Sequence, residues 1–168
     1  MNNTNYKSLF LGFGSNLGDS SHLVTRSIKE VASNPHIEFV KQSSLWRTQA
    51  LYDPDQPDFV NAVVKYRSDL DPRELLDFLQ LIETRFLRRR DPLRPKGPRT
   101  IDIDILFYAD QVVNTPDLVI PHPRMAERAF VLVPINEIAP DLKHPVLDRT
   151  MKELLDGVKG VQGVLRFA

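Results

Sequence analysis

Hydrophobic and polar positions change period several times along the chain, and each change marks an element. Residues 8 to 13 (Ser-Leu-Phe-Leu-Gly-Phe) read as a strand entering the turn Gly14-Ser15-Asn16-Leu17-Gly18-Asp19. Asp19 or Ser20 is then the cap of a helix on which Leu23, Val24, Ser27, Ile28 and Val31 follow 3.6-residue spacing, ending near Asn34-Pro35. Residues 36 to 47 resume an extended pattern whose imperfection predicts a bulge or bend. Thr48 to Pro57 is rich in turn formers and reads as a surface loop. From Phe59 to Tyr66 the pattern alternates again, with Phe59, Asn61 and Val63 on one face and Val60, Ala62 and Val64 on the other. Asp71-Pro72-Arg73-Glu74 is a helix start: Asp71 caps, Pro72 has no N–H to lose, and Glu74 closes the box. Leu75, Leu79, Ile82 and Phe86 give that helix one apolar face.

The sharpest alternation lies at residues 97 to 108, Gly-Pro-Arg-Thr-Ile-Asp-Ile-Asp-Ile-Leu-Phe-Tyr. Period two predicts a strand with Ile101, Ile103, Ile105 and Phe107 in the core and Asp102 and Asp104 together on the other face. Further on, Ala129 to Ala139 reads as a helix despite Pro134, and Thr150 to Leu155 as a short last one. The order β-α-β-β-α-β predicts an α+β fold, a four-stranded antiparallel sheet of ferredoxin-like type. Its two long helices lie on one face, and a mostly helical C-terminal extension covers part of the other.

Composition narrows the class more than the chemistry. A chain of 168 residues, 42% hydrophobic and 26% charged, is expected to fold as one domain, residues 1–168. Lys+Arg 22 balances Asp+Glu 22, so no global field draws the molecule to nucleic acid or to an anionic membrane. There is no cysteine, hence no thiolate metal site and no disulfide framework. The N-terminus lacks a signal-peptide core and no apolar run reaches membrane-spanning length, so the expected location is cytoplasmic. Charge is nevertheless uneven: Arg85, Arg88, Arg89, Arg90, Arg94, Lys96 and Arg99 face only Asp91 in their own stretch.

That basic run changes the reading of the two acids. Side chains at i and i+2 of a strand stand about 6.5 Å apart, and neighbouring carboxylates repel unless a cation lies between them. An all-oxygen pair suits Mg²⁺ or Mn²⁺ better than zinc. Arg88 to Arg99, broken by Pro92, Pro95 and Pro98, reads as an extended flap that delivers Arg99 beside the aspartates. Arginines there could clamp phosphates bidentately over a metal-neutralised platform. Glu83 falls inside the apolar arc of its helix and needs a partner, which the downstream arginines could supply; Asn61 interrupts an apolar strand face; and His122, between Pro121 and Pro123, is exposed or at a site rim. No Walker A sequence or protein-kinase signature is present. Spacing alone thus points to metal-dependent chemistry on a phosphate ester. A two-metal phosphohydrolase and an RNA-binding sheet with a basic arm are its rivals, and a solvated edge strand is the bland alternative.

Four stretches in order carry a resemblance. Gly12-Phe13-Gly14-Ser15-Asn16-Leu17-Gly18, Asp55 to Asn61, Gly97 to Leu106, and Ile120 to Met125 with Glu127 to Val131 resemble 6-hydroxymethyl-7,8-dihydropterin pyrophosphokinase over residues 8 to 145. The resemblance implies transfer of pyrophosphate from ATP to the pterin hydroxymethyl group, with release of AMP, in folate biosynthesis. Position by position, it implies that Asp102 and Asp104 hold two Mg²⁺ ions and that Arg88, Arg90 and Arg99 handle the ATP phosphates. Gln80, Glu83, His122 and Arg128 fall to the nucleotide. Phe59 and Phe130 sandwich the pterin, Asn61 reads its edge, and the backbone from Thr48 to Leu51 lies nearby. Dihydropteroate synthase is the candidate protein partner. Lys96 stands where the family often has an aromatic, Leu87 where it often has Gly, and Pro123 where some members have Tyr.

Overall fold

The first apolar run forms β1 (Lys7–Ser15), which continues two residues into the expected turn, so that Gly14 and Ser15 are strand residues. Asp19 caps α1 (Ser20–Ala32), its side chain accepting from the His22 N–H. The chain returns as β2 (Ile37–Gln42) and β3 (Trp46–Thr48), then runs through the long β4 (Phe59–Ser68). α2 (Pro72–Arg85) starts with the full capping box of Asp71 and Glu74, a device that contributes about 1 kcal/mol at a helix start. β5 (Asp102–Tyr108) is followed by a small hairpin, β6 (Val113–Asn114) with β7 (Val119–Ile120), and by α3 (Ala129–Ile138). α4 (Met151–Gly157), capped by Thr150 and Glu153, precedes a short final strand, β8 (Val164–Arg166). The computed structural model describes residues 5–50, 55–86, 93 and 100–167.

All pairings in the main sheet are antiparallel, in the order β5-β1-β4-β3-β8, with β2 also paired to β4. Among the described residues the sheet therefore has six strands and not the four that the pattern predicts. Two causes account for the difference. The second extended stretch breaks at residues 43 to 45, so β2 and β3 pair separately with the two ends of β4. The C-terminal extension is not wholly helical, since β8 adds an edge to β3. The expected bulge is there, as a register shift between Phe39 and Lys41.

Two apolar layers flank the sheet. On one side Val24, Ile28 and Val31 of α1 and Leu75, Leu79 and Ile82 of α2 pack on Leu9, Leu11, Phe13, Val60, Val64, Ile103 and Ile105. The buried Tyr66 hydroxyl ties this layer together by donating to the Ile28 carbonyl, and burial pushes its pKa well up. On the other side Leu132 and Ile135 of α3 and Met151 and Leu154 of α4 pack on Phe10, Val63, Leu106 and Phe107. Phe107 belongs to this second layer, against the simple alternation. Leu11 pairs with Ile105 but Phe10 with Phe107, so Leu106 is an extra residue that turns the strand by one position. Pro134 is tolerated inside α3, where it is itself buried with Ala129, Val131, Leu132 and Ile135. Among the described residues no helix is long and apolar enough to cross a membrane.

Candidate active site

Cross-strand register places the chemistry. Asp102 on β5 lies opposite Gly14 on β1, Gly14 opposite Asn61 on β4, and Asn61 opposite Trp46 on β3. One step along, Asp104 lies opposite Gly12, and Gly12 opposite Val63. Paired residues share a sheet face, so both acids, both glycines and Asn61 look out on the α3 side. A cavity of about 160 Å³ opens there, walled by Asp102, Asp104, Phe59, Asn61, Arg128 and Phe130 over a floor of Gly12 and Gly14. Thr48, Gln49 and Ala50 line it as well. Elements distant in the chain thus bring seven expected residues (Thr48, Phe59, Asn61, Asp102, Asp104, Arg128 and Phe130) to one space.

Each side chain there is held by a local cause. The Asn61 Nδ2 donates to Thr48 Oγ1 at 2.9 Å, both groups being buried, which fixes which way the carboxamide faces. The Arg128 guanidinium sits 5.5 Å from the Phe130 ring centroid. Its Nε is buried with no hydrogen-bond partner among the described residues, a donor suited to an anion.

His122 reaches the site through the β5 bulge. The Leu106 carbonyl accepts from the His122 N–H at 3.1 Å, and the ring follows a cis Ile120–Pro121 peptide. Its Nε2 stands 4.0 Å from Asp104 Oδ2. Burial and the Arg128 charge push its pKa down to about 4, against a smaller upward pull from Asp102. His122 Nδ1 accepts from the Arg124 N–H at 3.2 Å, so the neutral ring carries its proton on Nε2 and is a donor toward the acid pair.

Glu83 is buried on α2, and its Oε1 accepts from the Ile103 N–H at 2.9 Å. That bond is to backbone, at the residue between Asp102 and Asp104, and the arginines of the Arg88–Arg99 run expected as partners of Glu83 lie outside the described residues. Gln80 lies exposed one turn earlier and does not line the cavity. Leu51, Arg88, Arg90 and Arg99 lie outside the described residues. Three features escaped sequence reasoning. Gly12 and Gly14, two apart in a strand, form the floor. The bulged Leu106 binds the His122 backbone. Buried Asn16 donates to Gln56 Oε1 and the Pro57 carbonyl at 3.0 and 3.2 Å, tying the end of β1 to the segment entering β4. Only the glycine spacing was visible as a signal.

Comparison with known proteins gives the family. The model of the 7,8-dihydro-6-hydroxymethylpterin-pyrophosphokinase (HPPK) family matches residues 10–140. The chain belongs to the HPPK family. Among its relatives, a 2-amino-4-hydroxy-6-hydroxymethyldihydropteridine pyrophosphokinase of Synechocystis sp. is 42% identical over 148 residues, 88% of this chain and 74% of the relative. The enzyme of that description from Haemophilus influenzae is 38% identical over 150 residues, covering 88% and 92%. The folic acid synthesis protein fol1 of Pneumocystis carinii is 41% identical over 86% of this chain, which spans only 19% of that longer protein. The crystal structure of Plasmodium falciparum HPPK-DHPS with pteroate superposes with a TM-score of 0.73 at 16% identity, covering 90% of this chain and 42% of that one. That likeness concerns the fold. The HPPK match spans every described residue that lines the cavity.

Proposed function

We propose that this chain transfers pyrophosphate from ATP to the hydroxymethyl group of 6-hydroxymethyl-7,8-dihydropterin, releasing AMP, as a step of folate biosynthesis. The observation that carries the reading is a cavity that has paired carboxylates on one side, aromatic and amide side chains on the other, and bare backbone between them. Two strand neighbours offering only oxygen on one face fit hard divalent ions, and Asp102 and Asp104 would hold two Mg²⁺. When bound there, the ions would offset the charge of the triphosphate and of the transition state. Phe59 and Phe130 stack on the pterin, Asn61 hydrogen-bonds its edge, and Thr48 to Leu51 border it. Arg128 and neutral His122 donate to nucleotide phosphates; Gln80, which does not line the cavity, and Glu83, which accepts from the Ile103 N–H, are assigned to the nucleotide side by resemblance alone. Arg88, Arg90 and Arg99, beyond the described residues, are assigned to the phosphates by resemblance alone.

In the reaction the pterin hydroxyl oxygen attacks the β-phosphorus of ATP in line. The new O–Pβ bond forms as the bond from Pβ to the bridging oxygen of AMP breaks, and the hydroxyl proton leaves to solvent. The protein's contribution is positioning and electrostatics. The strand order supports a finer reading of the fold: counting β2 and β3 as one strand, the sheet runs 4-1-3-2, the ferredoxin-like arrangement, with β8 appended. Residues 1–168 are then one pterin pyrophosphokinase domain. A dihydropteroate synthase partner is suggested by Plasmodium falciparum HPPK-DHPS, in which both names attach to one chain.

An assay of AMP release with ATP and Mg²⁺, with and without the hydroxymethyl pterin, tests the proposal. Pterin-dependent AMP is the expected result. Release of ADP and phosphate without a pterin requirement would make the chain a phosphohydrolase and overturn it.

A further inference from the structure

The floor of the cavity contains a steric condition that the roles assigned so far leave out. Asp102, Gly14 and Asn61 form one cross-strand row, and strands lie 4.7–4.9 Å apart, so the acid and the amide are separated by about 9–10 Å with only Gly14 between them. A Cβ built on Gly14 would stand 3.0 Å from Asn61 Oδ1 and 3.8 Å from the Phe59 ring. Asn61 cannot simply swing aside, because its Nδ2 is held by buried Thr48 Oγ1 on the next strand. The same construction at Gly12 meets only Leu106, at an ordinary 3.5 Å. Two glycines of the same strand and face thus differ in what a methyl group would disturb.

We infer that Gly14 is a positioning residue for the pterin end of the site: its missing side chain leaves Asn61 and Phe59 in place and keeps open the lane from the amide to Asp102. The inference rests on the pterin reading proposed above. It makes Gly14 act through Asn61 and Phe59 on the ring, and it leaves the nucleotide to other residues.

Four proteins test it: Gly14→Ala, Gly12→Ala, Asn61→Ala and the Gly14→Ala/Asn61→Ala double variant. Affinity for the hydroxymethyl pterin is measured by calorimetry with Mg²⁺ and a non-hydrolysable ATP analogue, affinity for the analogue is measured separately, and Tm is recorded without ligands. Gly14→Ala is expected to weaken pterin binding about 10-fold or more and to leave analogue binding within about 2-fold, with Gly12→Ala the milder of the two on pterin. Its Tm is expected to fall by roughly 3–6 °C, and that fall to vanish in the Asn61→Ala background, where the methyl group has room. Unchanged pterin affinity in Gly14→Ala, an equal loss for the analogue, an equal loss in Gly12→Ala, or a Tm fall that persists without Asn61 would each overturn the inference. A wild-type protein that binds the analogue but no pterin would overturn the pterin reading, and the ligand-free Tm comparison would then decide the Gly14–Asn61 contact by itself.

Discussion

Glu83 offers the clearest measure of how the helical layer supports the acid pair. Its carboxylate, buried on α2, accepts from the Ile103 N–H at 2.9 Å, and Ile103 is the one residue between Asp102 and Asp104. A hydrogen bond to a charged group contributes about 1.5–3 kcal/mol, and stranding a buried N–H costs about 1–3 kcal/mol. Glu83→Leu keeps the apolar environment satisfied but leaves that N–H alone, so a loss of about 2–4 kcal/mol is expected. In a domain of this size about 1 kcal/mol moves Tm by roughly 2–4 °C, which puts the fall near 5–10 °C. Glu83→Gln retains an oxygen acceptor and should lose less than half of that. The strand would also be less well fixed between the two acids, so Mg²⁺ affinity should drop about 10-fold or more, as when an outer-shell partner of a metal ligand is removed. Thermal melts of the three proteins and calorimetric Mg²⁺ titration with the ATP analogue make the comparison. A Glu83→Leu protein with wild-type Tm and wild-type Mg²⁺ affinity would refute the claim that this bond sets the strand. Loss in Glu83→Gln as great as in Glu83→Leu would instead show that charge, not acceptance from Ile103, is what matters.

Asp102→Asn and Asp104→Asn should each fold with near-native Tm and lose on the order of 10³-fold in AMP release, since several kcal/mol of charge stabilisation pass through them; wild-type turnover in both would remove them from the metal site. Phe59→Ala should raise the pterin KM about 10-fold through lost stacking while leaving the ATP KM unchanged; a larger effect on ATP would place the ring at the nucleotide end. His144 Nδ1 accepts from the Val146 and Leu147 N–H groups at 3.2 and 3.1 Å, and burial lowers its pKa. The unfolded chain then binds this proton first, so the stabilisation is complete above about pH 6.5 and is lost as pH falls through the folded value. Tm measured from pH 7.5 to 5 should fall more steeply for wild type than for His144→Asn, and parallel curves would contradict the assignment.

Much of this was legible one element at a time. Asp71, Pro72 and Glu74 announced α2 because a capping box satisfies backbone donors within four residues. Asn61 with Phe59 on one face, and the two acids together, followed from period two. What failed to follow depended on pairing. The Leu106 bulge is set by how β5 meets β1, and it alone puts Phe107 in the opposite layer from Ile105. The break at residues 43 to 45 and the docking of β8 on β3 are likewise properties of a neighbouring strand. The place of Glu83 in an apolar arc signals the need for a partner, but its acceptance from the Ile103 N–H leaves no mark on composition or spacing.

The same distinction explains why the cavity is where it is. Alternation decides which face a residue occupies, but register decides which residues form a row, and here the row contains the chemistry. Had β1 paired with β4 one residue out of step, Gly14 would no longer stand between Asp102 and Asn61, and the core face of β1 would turn to the α3 side. Leu11 and Phe13 in the α1–α2 core forbid that slip, because it would move both out of the buried layer. The bulge has the complementary effect: it leaves the Asp102 and Asp104 rows in step with Gly14 and Gly12 while freeing the Leu106 carbonyl for the His122 backbone. Core packing on one face of the sheet therefore enforces the alignment of acids, glycines and amide on the other.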